Sequence, residues 1–195
     1  MKLEELRKWT PEERFYRKYA HSRQDPQKFK TFLASLDVSK LIEQGLVVPE
    51  FPETLPNYFM DDYTQSCAEG GLIPEKRLRC KPPFLHQHAF FEIIYVLEGK
   101  CLHYSKAAER SLVPGDICVI PPGVEHEISI GEDCLAMAFR CSAAAIRQIF
   151  TRPCFGESNA VTTFFTANSI SGYRGSCLFL HTGDNGELKQ LALDI

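Results

Sequence analysis

The feature that most constrains this chain is a run of short apolar segments between about Arg77 and Arg140, punctuated at nearly regular intervals by turn residues. The segments RLRC (77–80), HAFFEIIYVL (88–97), KCLHYSK (100–106), RSLV (110–113), ICVI (117–120), HEISI (126–130) and CLAMAFR (134–140) recur along it. Glu98-Gly99, Pro114-Gly115-Asp116, Pro121-Pro122-Gly123 and Gly131-Glu132-Asp133 separate them. The segments are short and rich in β-branched and aromatic residues, and these breaks carry the Gly and Pro that tight turns require. Such a series predicts antiparallel strands closed into a sandwich or barrel. At 195 residues there is material for one such core with additions at its ends, and not for two ordinary domains.

The additions are helical. Thr10-Pro11-Glu12-Glu13 predicts a helix through about Ala20, with threonine as cap, proline in the first turn and Glu13 closing a capping box. A second helix is expected after Asp25-Pro26, with Phe29, Phe32, Leu33 and Leu36 at helical spacing, and a third from Asp37 toward Gly45. From Val47 to Gly71, three prolines and the Gly70-Gly71 pair break any period, which predicts an extended arm. Beyond the barrel, Ser142 to Phe150 has helical spacing, Cys177 to His181 reads as one more strand, and Asp184 with Glu187 opens a final helix. The apolar stripe Leu188, Leu191, Ala192, Ile195 reaches the last residue with no Gly or Asn stop, so this helix is expected to continue past Ile195. The expected division is a helical extension and arm over 1–56, then a barrel with the start of a C-terminal helical connection over 57–195.

Four residues carry the chemistry. His86, His88 and Glu92 stand at even separations on one expected strand, and because side chains alternate across a strand all three are expected to face the interior. His126 follows the Pro121-Pro122-Gly123 turn, which brings it opposite the first pair. Three imidazoles and a carboxylate suit a divalent metal such as Mn, Fe, Ni or Zn; without metal, the same groups recognise a ligand by hydrogen bonding. Phe84, Phe90, Ile94 and Val96 share the parity of the histidines and are expected to fill the core. Phe91, Ile93, Tyr95 and Leu97 are apolar on the opposite parity, so the outer face of this strand should also be covered, by the N-terminal helices, the segment after Ser142 or a second copy of the chain. His103 and Tyr104 alternate on the next strand, and whichever faces inward is expected to be structural.

Other classes are disfavoured. A net charge of −3, with acidic residues mixed among the N-terminal Arg and Lys, gives no clustered cation patch for nucleic acid. No apolar run is long enough to cross a bilayer and the first residues lack the apolar centre of a secretory signal, which predicts a cytoplasmic protein. The eight cysteines show no C-x-x-C pair or metal-ligand spacing and are expected to be mostly reduced, several of them buried, with no nucleophilic role. No phosphate loop or serine-nucleophile elbow is present.

The stretch HQHAFFEIIYVLEG (86–99) resembles the first cupin motif and GDICVIPPGVEH (115–126) the second. Two positions depart from the pattern: Cys80 stands where the first motif opens with glycine, and Ile130 where the second closes with asparagine. The resemblance implies a mainly β cupin barrel, a double-stranded β-helix or jelly roll. The aromatic pair after His-x-His, the segments around Glu92 and the Pro-Gly turns are similar to the N-terminal effector-sensing domain of AraC-family transcription regulators. That resemblance implies a non-catalytic sensor that dimerises and binds a small effector, such as a carbohydrate or small aromatic acid, through His86, His88, Glu92 and His126. DNA would be contacted only by a C-terminal domain outside this chain, and no membrane is involved. The rival implication is a stand-alone metal-dependent cupin enzyme, a dioxygenase or isomerase.

Overall fold

The computed structural model describes residues 2–55, 71–106, 108–150, 159–169 and 175–195. Cys67, Cys154, most of the expected arm and the expected 56/57 boundary lie outside them.

Eight strands form two antiparallel sheets among these residues. β1 (Ile73–Lys76), β2 (Phe91–Glu98), β5 (Asp116–Ile120), β7 (Leu135–Cys141) and β8 (Leu178–His181) make one sheet in the order β1-β7-β2-β5-β8. β3 (Cys101–Ser105), β4 (Glu109–Leu112) and β6 (His126–Ile130) make the other, in the order β4-β3-β6. Neighbours in the sheets are mostly not neighbours in sequence, and this crossing between two facing sheets is the jelly roll expected above. Gly115 shows why a turn residue is fixed: at φ 87, a Cβ there would lie 2.0 Å from the carbonyl oxygen of Gly183.

One core fills the space between the sheets, with Ile94, Val96, Cys118, Ile120, Ile128 and Ala138 among its buried members. Each fully buried aliphatic chain of this kind contributes about 1.5–3 kcal/mol. The opposite parity of β2 is covered as well. Tyr95 and Leu97 pack with Leu6 of α1 (Leu3–Arg7) and with Ala192 and Leu193 of α7 (Gly186–Asp194). Phe91 packs with Ala145 and Ile146 of α5 (Ala143–Phe150) and Phe165 of α6 (Ala160–Asn168). The chain therefore covers this face itself, with helices from both ends.

The N-terminal extension forms α2 (Pro11–Ser22), α3 (Pro26–Ala34) and α4 (Val38–Glu43), and its caps are those the sequence predicts. Thr10 and Glu13 make the capping box, and Asp25 and Asp37 each accept two amides. Gly45 ends the third helix at φ 63. Tyr16, Tyr19, Leu41, Leu46 and Val48 form its own small core, which meets the barrel at Leu78 and Cys80. The tie is electrostatic too: Glu13, fully buried, accepts from Arg79 Nε at 3.0 Å and Nη2 at 2.9 Å and from Lys76 Nζ at 2.8 Å. The Arg79 guanidinium lies 3.9 Å from the centre of the Trp9 ring.

Two expectations are corrected. RLRC is not a strand: β1 precedes it, and residues 77–80 run through a turn at which Cys80 takes φ 59. The final helix is capped by Asn185, whose side chain accepts from Leu188 N, and not by Asp184. Among the described residues no helix is long and apolar enough to cross a membrane.

Candidate functional site

Glu92 projects from β2 into the barrel and His126 comes from the start of β6 in the facing sheet. His86 and His88 lie before β2, which begins only at Phe91, so strand alternation does not aim them. A two-residue backbone bridge does: His86 N donates to His126 O at 3.0 Å, and His126 N donates to His86 O at 2.9 Å. Gly123 N donates to His88 O at 2.8 Å, so the Pro-Gly turn itself clamps the second histidine. The structure brings His88, Glu92 and His126 together, by a local geometry other than strand alternation, and leaves His86 to one side.

Three of the four residues converge. His88, Glu92 and His126 are 4%, 2% and 0% exposed. Glu92 Oε2 lies 3.7 Å from His88 Nε2 and 3.5 Å from His126 Nε2. His86 stands outside this trio, with its ring centre 4.3 Å from that of His126 and 6.3 Å from that of His88. Phe90 stacks on His88 at 4.2 Å and 7°, fixing the plane of its imidazole.

Hydrogen bonding decides which nitrogen each ring offers. His88 Nδ1 is 2.7 Å from Phe90 O, His126 Nδ1 is 3.0 Å from Val124 O and His86 Nδ1 is 3.0 Å from Phe84 O. A carbonyl oxygen only accepts, so each Nδ1 is the donor and Nε2 is the nitrogen each ring turns toward the barrel. Burial pushes the pKa of His88 down, and burial with the neighbouring His126 pushes that of His86 to about 3, so both rings are neutral. The Nε2 atoms of His88 and His126 and Oε2 of Glu92 then face one another without a hydrogen-bond partner.

Such a trio of atoms suits a cation. Ligand atoms around a tetrahedral ion with bonds near 2.1 Å stand about 3.4 Å apart, and the two spacings to Glu92 Oε2 are close to that value. The carbonyls that hold each Nδ1 are the outer partners a ligating histidine requires. The donor set therefore fits a divalent metal held by His88, Glu92 and His126, with His86 beside it.

The sequence reading missed Arg77. Its Nη1 donates to Glu92 Oε1 at 3.0 Å, leaving Oε2 for the histidines. Burial alone would raise the Glu92 pKa, but the charge of Arg77 holds it well below the carboxylate range. A buried carboxylate signals that a cation must be near, yet nothing in the sequence selects Arg77 over Arg79 or Arg140. Arg77, Lys81, Phe84 and His86 line a hollow of about 30 Å³ at this end of the barrel, enough for about one water. Burial, aided by Arg77, brings the pKa of Lys81 down to about 8.

Residues 81–153 match the AraC-like ligand binding domain. The matched stretch contains all four site residues and strands β2 to β7, whereas β1, β8 and the N-terminal helices lie outside it. Solved structures similar to the chain include a cupin-2 domain containing protein from Shewanella frigidimarina, 30% identical, with 35% of this chain and 66% of that one aligned and a TM-score of 0.30. Another is a cupin 2 conserved barrel domain protein from Salinispora arenicola, 28% identical, with 36% and 64% aligned and a TM-score of 0.29. The chain thus spans just under two thirds of each of these proteins. No curated protein matches it.

Proposed function

We propose that this chain is the effector-sensing and dimerising domain of an AraC-type transcription regulator of the cytoplasm, not an enzyme. The observation that carries this reading is the match of residues 81–153 to a ligand-binding family, over the segment where His88, Glu92 and His126 turn their bare atoms inward. In this reading His86, His88, Glu92 and His126 form the recognition centre, and a divalent ion held there would orient the polar groups of an effector. Arg77 and Lys81 at the mouth favour an acidic or hydroxylated effector, such as a sugar acid or small aromatic acid. The hollow of about 30 Å³ is far below the few hundred Å³ of typical ligand sites, so a molecule of that size enters only with rearrangement of the mouth. That requirement supports sensing: a ligand that binds two arrangements of the barrel unequally shifts their populations. DNA is read by a separate part of the regulator, consistent with the net charge of −3 here.

The second reading, a metal-dependent cupin enzyme, is favoured by the fixed Nδ1 protons, which are what a catalytic metal centre needs as much as a sensing one. One experiment separates them. Protein purified without a histidine tag is assayed for bound metal beside His88→Ala and His126→Ala, and co-purifying small molecules are identified by native mass spectrometry. A bound molecule that stays chemically intact on incubation in air supports the sensor; metal-dependent consumption of it overturns that assignment. Light scattering across the micromolar range tests the dimer, and a monomeric mass throughout removes it.

A further inference from the structure

A second group of ligating atoms lies in the same barrel, outside the centre just described. His103 on β3 is fully buried, Cys118 on β5 is fully buried, and Cys177, just before β8, is partly exposed. Their ligand atoms lie within 4.8 Å of one another, and His103 Nε2 is 3.6 Å from Cys177 Sγ. His103 Nδ1 has no hydrogen-bond partner, so this ring is not held by a carbonyl as the other three are. Its plane runs nearly parallel to that of His126, at 8° with centres 6.0 Å apart, which places the group next to the first centre without sharing a residue.

We propose that His103, Cys118 and Cys177 form a site for a thiophilic ion of the zinc class. Two sulfurs and an imidazole are the donors that select such an ion over magnesium or manganese. In a tetrahedral zinc site with Zn–S near 2.3 Å and Zn–N near 2.0 Å, sulfur and nitrogen stand about 3.5 Å apart. The His103 to Cys177 spacing already meets this, and the widest separation closes by about 1 Å. Ion binding releases the thiol protons. Cys177 also lines an open groove of about 470 Å³ with Gln87, Ser105, Lys106 and Glu125, which gives an entry path and leaves a fourth coordination position on that side. The third ligand comes from outside the stretch matched to the ligand-binding family, so the site is a property of this chain's own β8 junction.

The inference does not rest on the first centre being metallated, and the test separates them. Untagged protein, fully reduced and freed of reductant under anaerobic conditions, is titrated with Co²⁺. Sulfur-to-cobalt charge transfer absorbs in the near ultraviolet, whereas the oxygen and nitrogen donors of the first centre give no such band. The expected result is a saturable band that is lost in Cys118→Ser and Cys177→Ser, weakened in His103→Ala and retained in His88→Ala. No band in folded, reduced protein overturns the site, as does a band that survives Cys177→Ser. Should the variants not fold, alkylation of wild-type protein is mapped by mass spectrometry. Zn²⁺ must then slow the labelling of Cys177 at least tenfold while leaving Cys80 unchanged, and equal labelling of Cys177 with and without Zn²⁺ also overturns the site.

Discussion

The backbone amide of Cys80 donates to the carbonyl of Ile130 at 2.8 Å, joining the two positions at which the sequence departs from the cupin motifs. Among the described residues Cys80 is the only non-glycine with positive φ, at 59°. Its place is a glycine's place, and the cysteine holds it at the expense of backbone strain. Ile130 gives its carbonyl to this bond and buries its side chain in the barrel core.

Comparing Cys80→Gly with Cys80→Ala isolates that strain, because both remove the thiol. The glycine variant is expected to be the more stable by about 1–2 kcal/mol, the reverse of the order at ordinary helix or strand positions. Urea midpoints at equal m-value measure the difference, and an alanine variant as stable as the glycine one would remove the strain argument.

Glu13 makes the attachment of the helical extension pH-dependent. Burial alone would raise its pKa, but hydrogen bonds from Arg79 and Lys76 outweigh burial and bring it from 4.5 to about 2. A depressed carboxylate contributes stability that is complete above the unfolded-state value and is lost as pH falls from 4.5 toward 2. The contribution at neutral pH is roughly 3 kcal/mol. Glu13→Gln should lose about that much at pH 7 and show a flatter stability profile in acid, read by thermal melts across the range.

Arg77 is expected to compete with metal for the charge of Glu92. Arg77→Met leaves a buried carboxylate without its guanidinium, a loss on the order of 3 kcal/mol. If the trio ligates, added Zn²⁺ or Mn²⁺ should recover more stability in this variant than in the wild type. Differential scanning fluorimetry with and without metal decides it, and equal metal shifts in the two proteins would count against ligation by Glu92.

The outer face of β2 is a second core. Phe91 is fully buried with its ring centre 5.5 Å from that of Phe165. Phe91→Ala should lose about 3–5 kcal/mol. Leu102→Ala, at a side chain 41% exposed on β3, should change stability by less than about 0.5 kcal/mol. Similar losses for the two would mean that the helices do not seal this face.

Local signals carried much of this fold. The caps at Thr10, Asp25 and Asp37, the glycine and proline turns and the apolar segments each act over a few residues, so the sequence by itself determined α2, α3 and α4 of the extension, though not α1, and most strands within a residue or two. It also determined that Glu92 faces inward and that both faces of β2 are buried, because period-two alternation is fixed wherever the strand is continuous. Alternation has no hold on a residue outside the strand, which is why His86 and His88 owe their place to the bridge with His126 and the Pro-Gly clamp. Only the tertiary structure decided that His86 stands apart from His88, Glu92 and His126, that Arg77 neutralises Glu92, and that Cys118 and Cys177 meet His103 with no spacing motif to announce them. Those relationships join segments far apart in the chain, and closure of the two sheets, not any local preference, sets the distances between them.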